Sequence, residues 1–436
     1  MSESELLLPS QSQRHQSSHS ADTETAFTMN NILSIPLALY IHIPWCVKKC
    51  PYCDFNSHEQ PADMPDTMYE EYVDALLLDA RMQQPLTQGR KIGSIFIGGG
   101  TPSLLPIVQY QRLFSQLRLI FDFADDIEVT MEANPGTLEH APFAEYLKVG
   151  INRLSIGVQS FAADKLVTLG RIHDPKQAVS AIQAARAAGF ERVNVDLMHG
   201  LPQQTLSEAM HDIQLAHDAG ATHISWYQLT IEPNTVFYRS QPLLPDEDSL
   251  ADIEQSGQAL LQRLGYVNYE VSAWAGASDM PCRHNVNYWQ FGDYLAIGAG
   301  AHGKVSIADK KLSAKESSSK EADKLLAESS IYRFSKSRLP KDYVAQADGV
   351  ASAPKMVGWQ AIAHDELVSE FMLNALRLHG GVDWALFEAR TGLTYASIAD
   401  KVNALVEKRL LIQSADRLQP TLLGQRYLNQ ILRAFL

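Results

Sequence analysis

From Leu37 onward the chain alternates between two hydrophobic patterns. Short apolar, β-branched runs fall at 37–43, 92–97, 126–131, 151–156, 191–196 and 222–229, and runs of this length bounded by turn residues read as strands. Between them, apolar side chains recur at three- and four-residue spacing in Tyr72 to Ala80, Ala178 to Ala188 and Leu206 to Ala216, the period of an amphipathic helix. Gly189 and Gly220 follow two of these segments, as helix C-terminal caps do. Six strand-helix units in succession predict an α/β fold, a partial parallel (β/α)6 barrel.

The pattern also marks what lies outside the barrel. Residues 1–30 are polar, rich in Ser, Gln and His and without period, which predicts a disordered N-terminal extension; His15 and His19 read as solvated. Residues 31–304 carry the core, and 305–330, rich in Ser, Lys and Glu, read as a flexible insertion. The rest, 331–436, is expected to form a helical C-terminal domain. There a helix begins at Asp383, a second spans Tyr395 to Leu410, and Leu411 to Thr421 resembles a hairpin, so the domain is winged-helix-like.

In parallel α/β sheets ligands gather where strands end, and each of the six ends carries polar or small residues. They are Cys46, Cys50 and Cys53; Gly98-Gly-Gly-Thr101; Glu132-Ala-Asn-Pro-Gly136; Gly157-Val-Gln159; Asp196-Leu-Met-His-Gly; and Tyr227-Gln-Leu-Thr230. A lone glycine run is commonly a turn and a lone carboxylate a helix cap. Six such groups at equivalent places point to one shared site.

The cysteines change the picture most. Their C-x3-C-x2-C spacing places three thiols on one short loop, where structural zinc takes four ligands and a disulfide takes two. An iron-sulfur cluster with one open iron fits best; a zinc site completed by Cys282 or a histidine is the alternative. Glycines at 98–100 let the backbone approach a polar ligand, but the loop lacks the GxxxxGK[ST] of a phosphate-binding P-loop. His42 shares a strand face with Tyr40 and reads as a hydrogen-bonded structural histidine.

Composition narrows the function classes. A net charge of -13 over 436 residues argues against a general nucleic-acid binder, whose phosphate contacts need clustered Lys and Arg. In 383–436, seven Arg/Lys stand against five Asp/Glu, too balanced for a phosphate-tracking face. No membrane span or secretory signal is visible, and clustered free thiols suit a reducing compartment, so a cytoplasmic protein is expected.

The cysteine loop after a first strand resembles that of the radical S-adenosylmethionine (radical SAM) superfamily. The wider wording LALYIHIPWCVKKCPYCDFNSH resembles its branch related to oxygen-independent coproporphyrinogen III oxidase, and the match runs from about residue 37 to the C-terminus, interrupted near 305–330. The resemblance implies a 4Fe-4S cluster on Cys46, Cys50 and Cys53, with SAM on the open iron. It implies SAM contacts from Tyr40, Tyr52, Gly99, Gly100, Thr101, Glu132, Gln159, Arg171 and Asp196. Glu132 suits a ribose diol, and Arg171 carries a fixed charge suited to a carboxylate.

Two features separate relatives within the branch. The oxidases carry a further cysteine in C-x-C, where this chain has Cys53-Asp54-Phe55. The stretch His284-Asn285-Val-Asn-Tyr288-Trp289 resembles the HNxxYW heme-binding signature of the heme-chaperone members. That resemblance implies heme at His284, Asn285, Tyr288 and Trp289, within a heme-binding segment 281–303. Imidazole is a common heme ligand and the aromatic rings offer apolar faces. Cys282 and His302 are spare ligand candidates, and 294–303 is expected to close over the ligand. The expected function is a heme chaperone that passes heme to acceptor apo-proteins, those of the respiratory chain, with no residue assigned a catalytic role. The alternative is an oxygen-independent coproporphyrinogen III oxidase; a third reading is a zinc-stabilised winged-helix regulator.

Overall fold

The computed structural model describes residues 32–61, 63–136, 142–307, 331–348 and 357–436. The N-terminal extension expected at 1–30 and nearly all of the 305–330 insertion lie outside the described residues.

Six parallel strands form the heart of the fold: β1 (Leu37–Ile43), β2 (Ile92–Gly99), β3 (Phe123–Ala133), β4 (Arg153–Gln159), β5 (Arg192–His199) and β6 (His223–Gln228). They lie side by side in chain order, as successive right-handed strand-helix-strand crossovers require. The main helices between them are α1 (Asp66–Gln83), α2 (Ile107–Ile120), α3 (Phe143–Val149), α4 (Ala163–Thr168), α5 (Pro175–Ala187) and α6 (Leu206–Ala219). After β6 come α7 (Glu247–Arg263) and two short strands, β7 (Val267–Asn268) and β8 (Ala273–Ala275). Helix α8 (Arg283–Trp289) then leads into β9 (Asp293–Ile297), β10 (His302–Ser306), β11 (Ile331–Ser335) and β12 (Val357–Ala361). The resulting open sheet of 12 strands runs β12-β11-β10-β9-β1-β2-β3-β4-β5-β6-β8-β7.

One finding corrects the expected domain boundaries. The sequence pattern assigns 331–335 and 357–361 to the C-terminal domain, but as β11 and β12 they extend the main sheet beside β10. The reason is edge satisfaction: β9 pairs in parallel with β1 and exposes an edge, which the antiparallel β10, β11 and β12 cover in turn.

The two faces of the six strands differ. Leu39, Ile41, Ile95, Ile97, Val129, Met131, Leu154, Ile156, Val193, Val195 and Ile224 point outward to one apolar core with Tyr72 and Leu76 of α1, Leu113 and Phe114 of α2, and Ile182 and Ile213. Each such side chain contributes about 1.5–3 kcal/mol of transfer free energy. Helix starts are specified locally. Asp174 with Gln177 and Thr205 with Glu208 form capping boxes on α5 and α6, and Gly220 ends α6 in the left-handed conformation.

The C-terminal domain has its own core of Phe371, Trp384, Phe387, Val402, Leu405 and Leu418, joined by Phe291 from the barrel side. It comprises α9 (Leu367–Ala375), β13 (Val382–Asp383), α10 (Trp384–Thr391), α11 (Ala399–Glu407), β14 (Leu411–Gln413) and β15 (Arg417–Pro420). The strands pair β13-β15-β14, so the expected hairpin is present and gains a third strand. Among the described residues no helix is long and apolar enough to cross a membrane.

Candidate functional site

The inward face of the same strands is polar, and it walls a cavity of about 550 Å³. Parallel strands buried on both faces ordinarily read as continuous apolar runs. Here every second residue breaks that rule: Thr130 and Glu132 on β3, Arg153, Ser155, Gly157 and Gln159 on β4, Asn194 and Asp196 on β5, and Ser225 and Tyr227 on β6. All but Thr130 line the cavity.

At the mouth stands the cysteine loop. Residues 45–46 pair with 58–59, and Trp45 packs 4.7 Å from the ring of Tyr72, so the loop between is pinned at both ends. Asn56 donates to the carbonyls of Ala299 and Arg338, at 3.0 and 2.8 Å. Cys46, Cys50 and Cys53 are all free thiols and all line the cavity. Thr101 Oγ1 donates to Cys46 Sγ at 3.6 Å, Cys53 Sγ lies 3.7 Å from Ser57 Oγ, and Arg171 Nη1 donates to Cys50 Sγ at 3.6 Å. Burial pushes the Cys46 and Cys53 thiols up. A bound cation would reverse that, since a coordinating thiol is deprotonated. Among the described residues no group of His, Cys, Asp or Glu is set to hold a single metal ion. Three thiols on one loop beside a cationic Arg171 fit a cluster whose thiolates need neutralising charge. Cys282 is elsewhere: its Sγ donates to Glu128 Oε1 at 3.5 Å, and burial pushes its thiol up to about 11.

Glycines at the end of β2 are needed for packing. A Cβ at Gly99 would lie 2.5 Å from the His42 ring and one at Gly100 2.4 Å from the Trp45 carbonyl oxygen. The backbone N–H of Gly100 and of Thr101 donate to Ile43 and Trp45 at 2.7 Å, so this loop clamps the cysteine loop while Gly99 N–H donates to Glu132 Oε2 at 3.2 Å. Burial, and then the neighbouring Asp196 charge, push the Glu132 carboxyl up to about 8. Asp196 also rises through burial, although Ser155 and Asn194 donate to it at 2.9 and 2.8 Å. Two adjacent buried carboxyls, with Arg153 attracting Asp196 but forming no ion pair with either among the described residues, favour a ligand that supplies hydroxyl or amino hydrogens. Gln159 has a left-handed φ of 70°, an uncommon conformation for a residue with a side chain. Its Oε1 accepts from the Tyr227 hydroxyl at 2.9 Å. Arg171 donates to the Gly157 carbonyl at 2.5 Å, and its buried Nε has no partner. Tyr52 lines the cavity and packs 6.3 Å from Phe237.

Tyr40 is the exception among the residues expected to contact SAM. It is not a lining residue; its hydroxyl bonds His42 Nδ1 at 2.9 Å, and His42 Nε2 bonds the Asn56 carbonyl at 2.9 Å. His42 thus has the structural role expected of it.

Helix α8 divides the expected heme residues between two faces. Asn285 and Trp289 line the cavity. His284 and Tyr288 sit on the neighbouring face, where His284 is 2% exposed and its Nε2 bonds the Tyr288 hydroxyl at 2.9 Å. Its ring stacks 5.0 Å from Phe96, itself a lining residue, and 6.4 Å from Tyr40. His284 Nδ1 is buried without a partner, and burial lowers the imidazole to about 3, leaving a neutral ring with an unused nitrogen. The rest of the expected segment does not close over the cavity. Residues 293–297 form β9, the backbone N–H groups of Gly298 and Ala299 donate to the Tyr343 and Tyr72 hydroxyls, and His302 is exposed at the start of β10. The physical reason is the apolar character of that stretch, which makes it a better strand beside β1 than a mobile cover.

Sequence reasoning passed over several residues here. Glu128 holds the start of α8, accepting from the backbone N–H of Arg283 and His284 and pairing with Arg192. Arg153, Asn194 and Ser225 line the cavity from within strands. Their signal was the period-two polar alternation in runs expected to be continuously apolar. Arg377, from the C-terminal domain, stacks 4.5 Å over the Trp289 ring and had no local signal.

Comparison with known proteins places these features in a family context. The radical SAM superfamily model matches residues 40–216, and the HemN C-terminal domain model matches 362–427. The heme chaperone HemW of Haemophilus influenzae is 43% identical over 405 residues, covering 92% of this chain and 98% of its own. The heme chaperone HemW of Escherichia coli is 43% identical over 401 residues with the same coverage, and that of Mycobacterium tuberculosis 31% over 405. Among solved structures, the radical SAM enzyme coproporphyrinogen III oxidase (HemN) from Escherichia coli superposes with a TM-score of 0.74 over 93% of this chain at 23% identity, which is a likeness of fold.

Proposed function

We propose, for a chain that belongs to the radical SAM superfamily and within it to the HemW family, that it binds heme beside a SAM-ligated 4Fe-4S cluster and passes the heme to acceptor proteins. Heme-dependent respiratory enzymes are the acceptors this reading expects. The observation that carries it is one cavity walled by Cys46, Cys50 and Cys53 on one side and by Asn285 and Trp289 on the other.

In this reading Cys46, Cys50 and Cys53 would hold the cluster and SAM would bind beside it, and the reduced cluster would supply one-electron chemistry. Arg171 neutralises the thiolate charge at Cys50 and offers its unpartnered Nε to a carboxylate. Glu132 and Asp196 accept hydroxyl or amino hydrogens, Gly100 and Thr101 hold the cysteine loop, and Gly99 donates its N–H to Glu132. Tyr52 and Gln159 line the same cavity. For heme, Trp289 and Asn285 provide the wall, and His284 provides a neutral imidazole whose Nδ1 is free while Tyr288 holds Nε2. The His284 ring lies against Phe96 and beside Tyr40, so it would act as a ligand only once that packing opens.

The runner-up activity, oxidative decarboxylation of coproporphyrinogen, differs at position 55, where an exposed Phe55 lines the mouth in place of the oxidases' further cysteine. The test is anaerobic reconstitution with iron and sulfide, then heme titration and a coproporphyrinogen assay with SAM and reductant on the same sample. Stoichiometric heme binding without porphyrin product is expected. SAM-dependent decarboxylation would overturn the chaperone reading.

A further inference from the structure

Two guanidinium groups lining the cavity are almost without hydrogen-bond partners. Arg153 opens β4, four residues before Gly157, about 13 Å deeper along the strand. It is 2% exposed, its Nε has no hydrogen-bond partner, and Nη1 reaches only Thr130 Oγ1 at 3.5 Å. Glu128, Asp279 and Asp196 attract it electrostatically without forming an ion pair with it among the described residues, and each is engaged elsewhere: Glu128 by Arg192 and the α8 N-terminus, Asp279 by Arg192 and Thr222, and Asp196 by Ser155 and Asn194. Arg377 enters after α9 from the C-terminal domain. Its guanidinium stacks 4.5 Å over Trp289 and makes no hydrogen bond among the described residues, and Nε is buried and unpartnered. Trp289 Nε1 is likewise unpartnered. Asn285, Glu270 and Ser272 complete this wall; Glu270 attracts Arg377 electrostatically but forms no ion pair with it among the described residues.

Buried donors left without acceptors cost free energy, and a guanidinium fork matches a carboxylate in shape as well as charge. We propose that this wall is a carboxylate subsite in which Arg153 and Arg377 receive the propionate side chains of the porphyrin, with Trp289 Nε1 as a further donor. The subsite rests on the heme reading above and adds what orients the ligand. It also gives the C-terminal domain a direct part in binding, through Arg377.

The experiment uses the full chain, reconstituted with iron and sulfide, titrated with hemin and with hemin dimethyl ester, in which both propionates are blocked. The wild type should prefer hemin by about tenfold or more, the size of one lost charge-assisted contact. Arg377→Gln should bring that preference toward unity with the ester affinity changed by less than about twofold. Arg153→Gln should do the same; Arg377, on a half-buried position, keeps the test valid if the Arg153 variant fails to fold. Equal binding of acid and ester by the wild type, or an undiminished preference in Arg377→Gln, would overturn the subsite while leaving heme binding intact. Binding of neither porphyrin would overturn both readings.

Discussion

The cysteine wall and the α8 wall face each other across one cavity, yet the chain builds them by different rules. On the first, each functional group follows a strand, and parallel pairing in chain order brings successive strand ends to one edge. Cys46, Gly99, Thr101, Glu132, Gln159 and Asp196 therefore meet once the sheet forms. On the second, one short helix sorts its residues by phase: Asn285 and Trp289 reach the cavity while His284 and Tyr288, also four apart, pair with each other on the adjoining face. A strand end delivers every loop to the same place; a helix delivers only one residue in three or four. The expected heme motif can thus be present in full while half of it is turned from the cavity.

The sharpest way to break the comparison is at the first wall. Cys50→Ala should remove the cluster outright, with iron and sulfide analysis after anaerobic reconstitution falling to background, and should leave the α8 wall folded. If iron content stays at the wild-type level, the three-cysteine assignment fails.

Next in size is the anchor of the second wall. Glu128 is buried and paired to Arg192 while holding the α8 N-terminus, so Glu128→Ala should cost about 3–5 kcal/mol in denaturant unfolding, as removal of one partner of a buried ion pair does. An effect below about 1 kcal/mol would mean that α8 is held from elsewhere.

His284→Ala sharpens the contrast within α8. It should weaken heme binding by at least about tenfold and leave iron-sulfide content unchanged; the readout is the heme Soret titration against iron analysis. Unchanged heme affinity would assign the site to Trp289 and Asn285 alone.

The carboxyl pair of the first wall predicts a pH effect. Glu132 has a folded pKa pushed up to about 8, against an unfolded value near 4.5. Below the unfolded value it is neutral in both states and costs nothing. As pH rises from about 4.5 to 8 the unfolded chain releases its proton and the folded chain retains it. Stability therefore falls through that window, by up to about 1.4 kcal/mol for each pH unit and by less where water enters the cavity. Glu132→Gln should flatten that part of the apo-protein's stability curve. The same downward slope in the variant would place its origin in other groups, such as Asp212, which burial raises to about 7.

The smallest effect is expected at Cys282→Ala. Its thiol points to Glu128 and lies outside the cavity, so cluster content should not change; a fall would revive a four-cysteine metal site.

Much of this was legible in the chain. The six strands were placed within a few residues of their observed limits, since apolar β-branched runs and helical periods are local properties. The cysteine loop was legible because its ligands are neighbours in sequence. His284 was legible as a motif residue but not as a buried one, because its environment comes from Phe96 and Tyr40 on strands far away in the chain. Arg153 was passed over because a single cation at a strand start looks like a flanking residue until the sheet's curvature shows which face it is on.

By itself, then, the sequence determined the order of strands and helices, the capping of α5 and α6, the three thiols and the family to which they belong. These follow from short-range spacing, which needs no partner to be read. Tertiary structure alone decided that β11 and β12 finish the barrel sheet, that α8 turns Trp289 inward and His284 aside, and that Arg377 crosses from another domain to stack on Trp289. Each depends on which surfaces are left unsatisfied once the sheet has formed: an open strand edge, an apolar ring, a buried charge. That information belongs to pairs of segments distant in the chain and exists only when they meet.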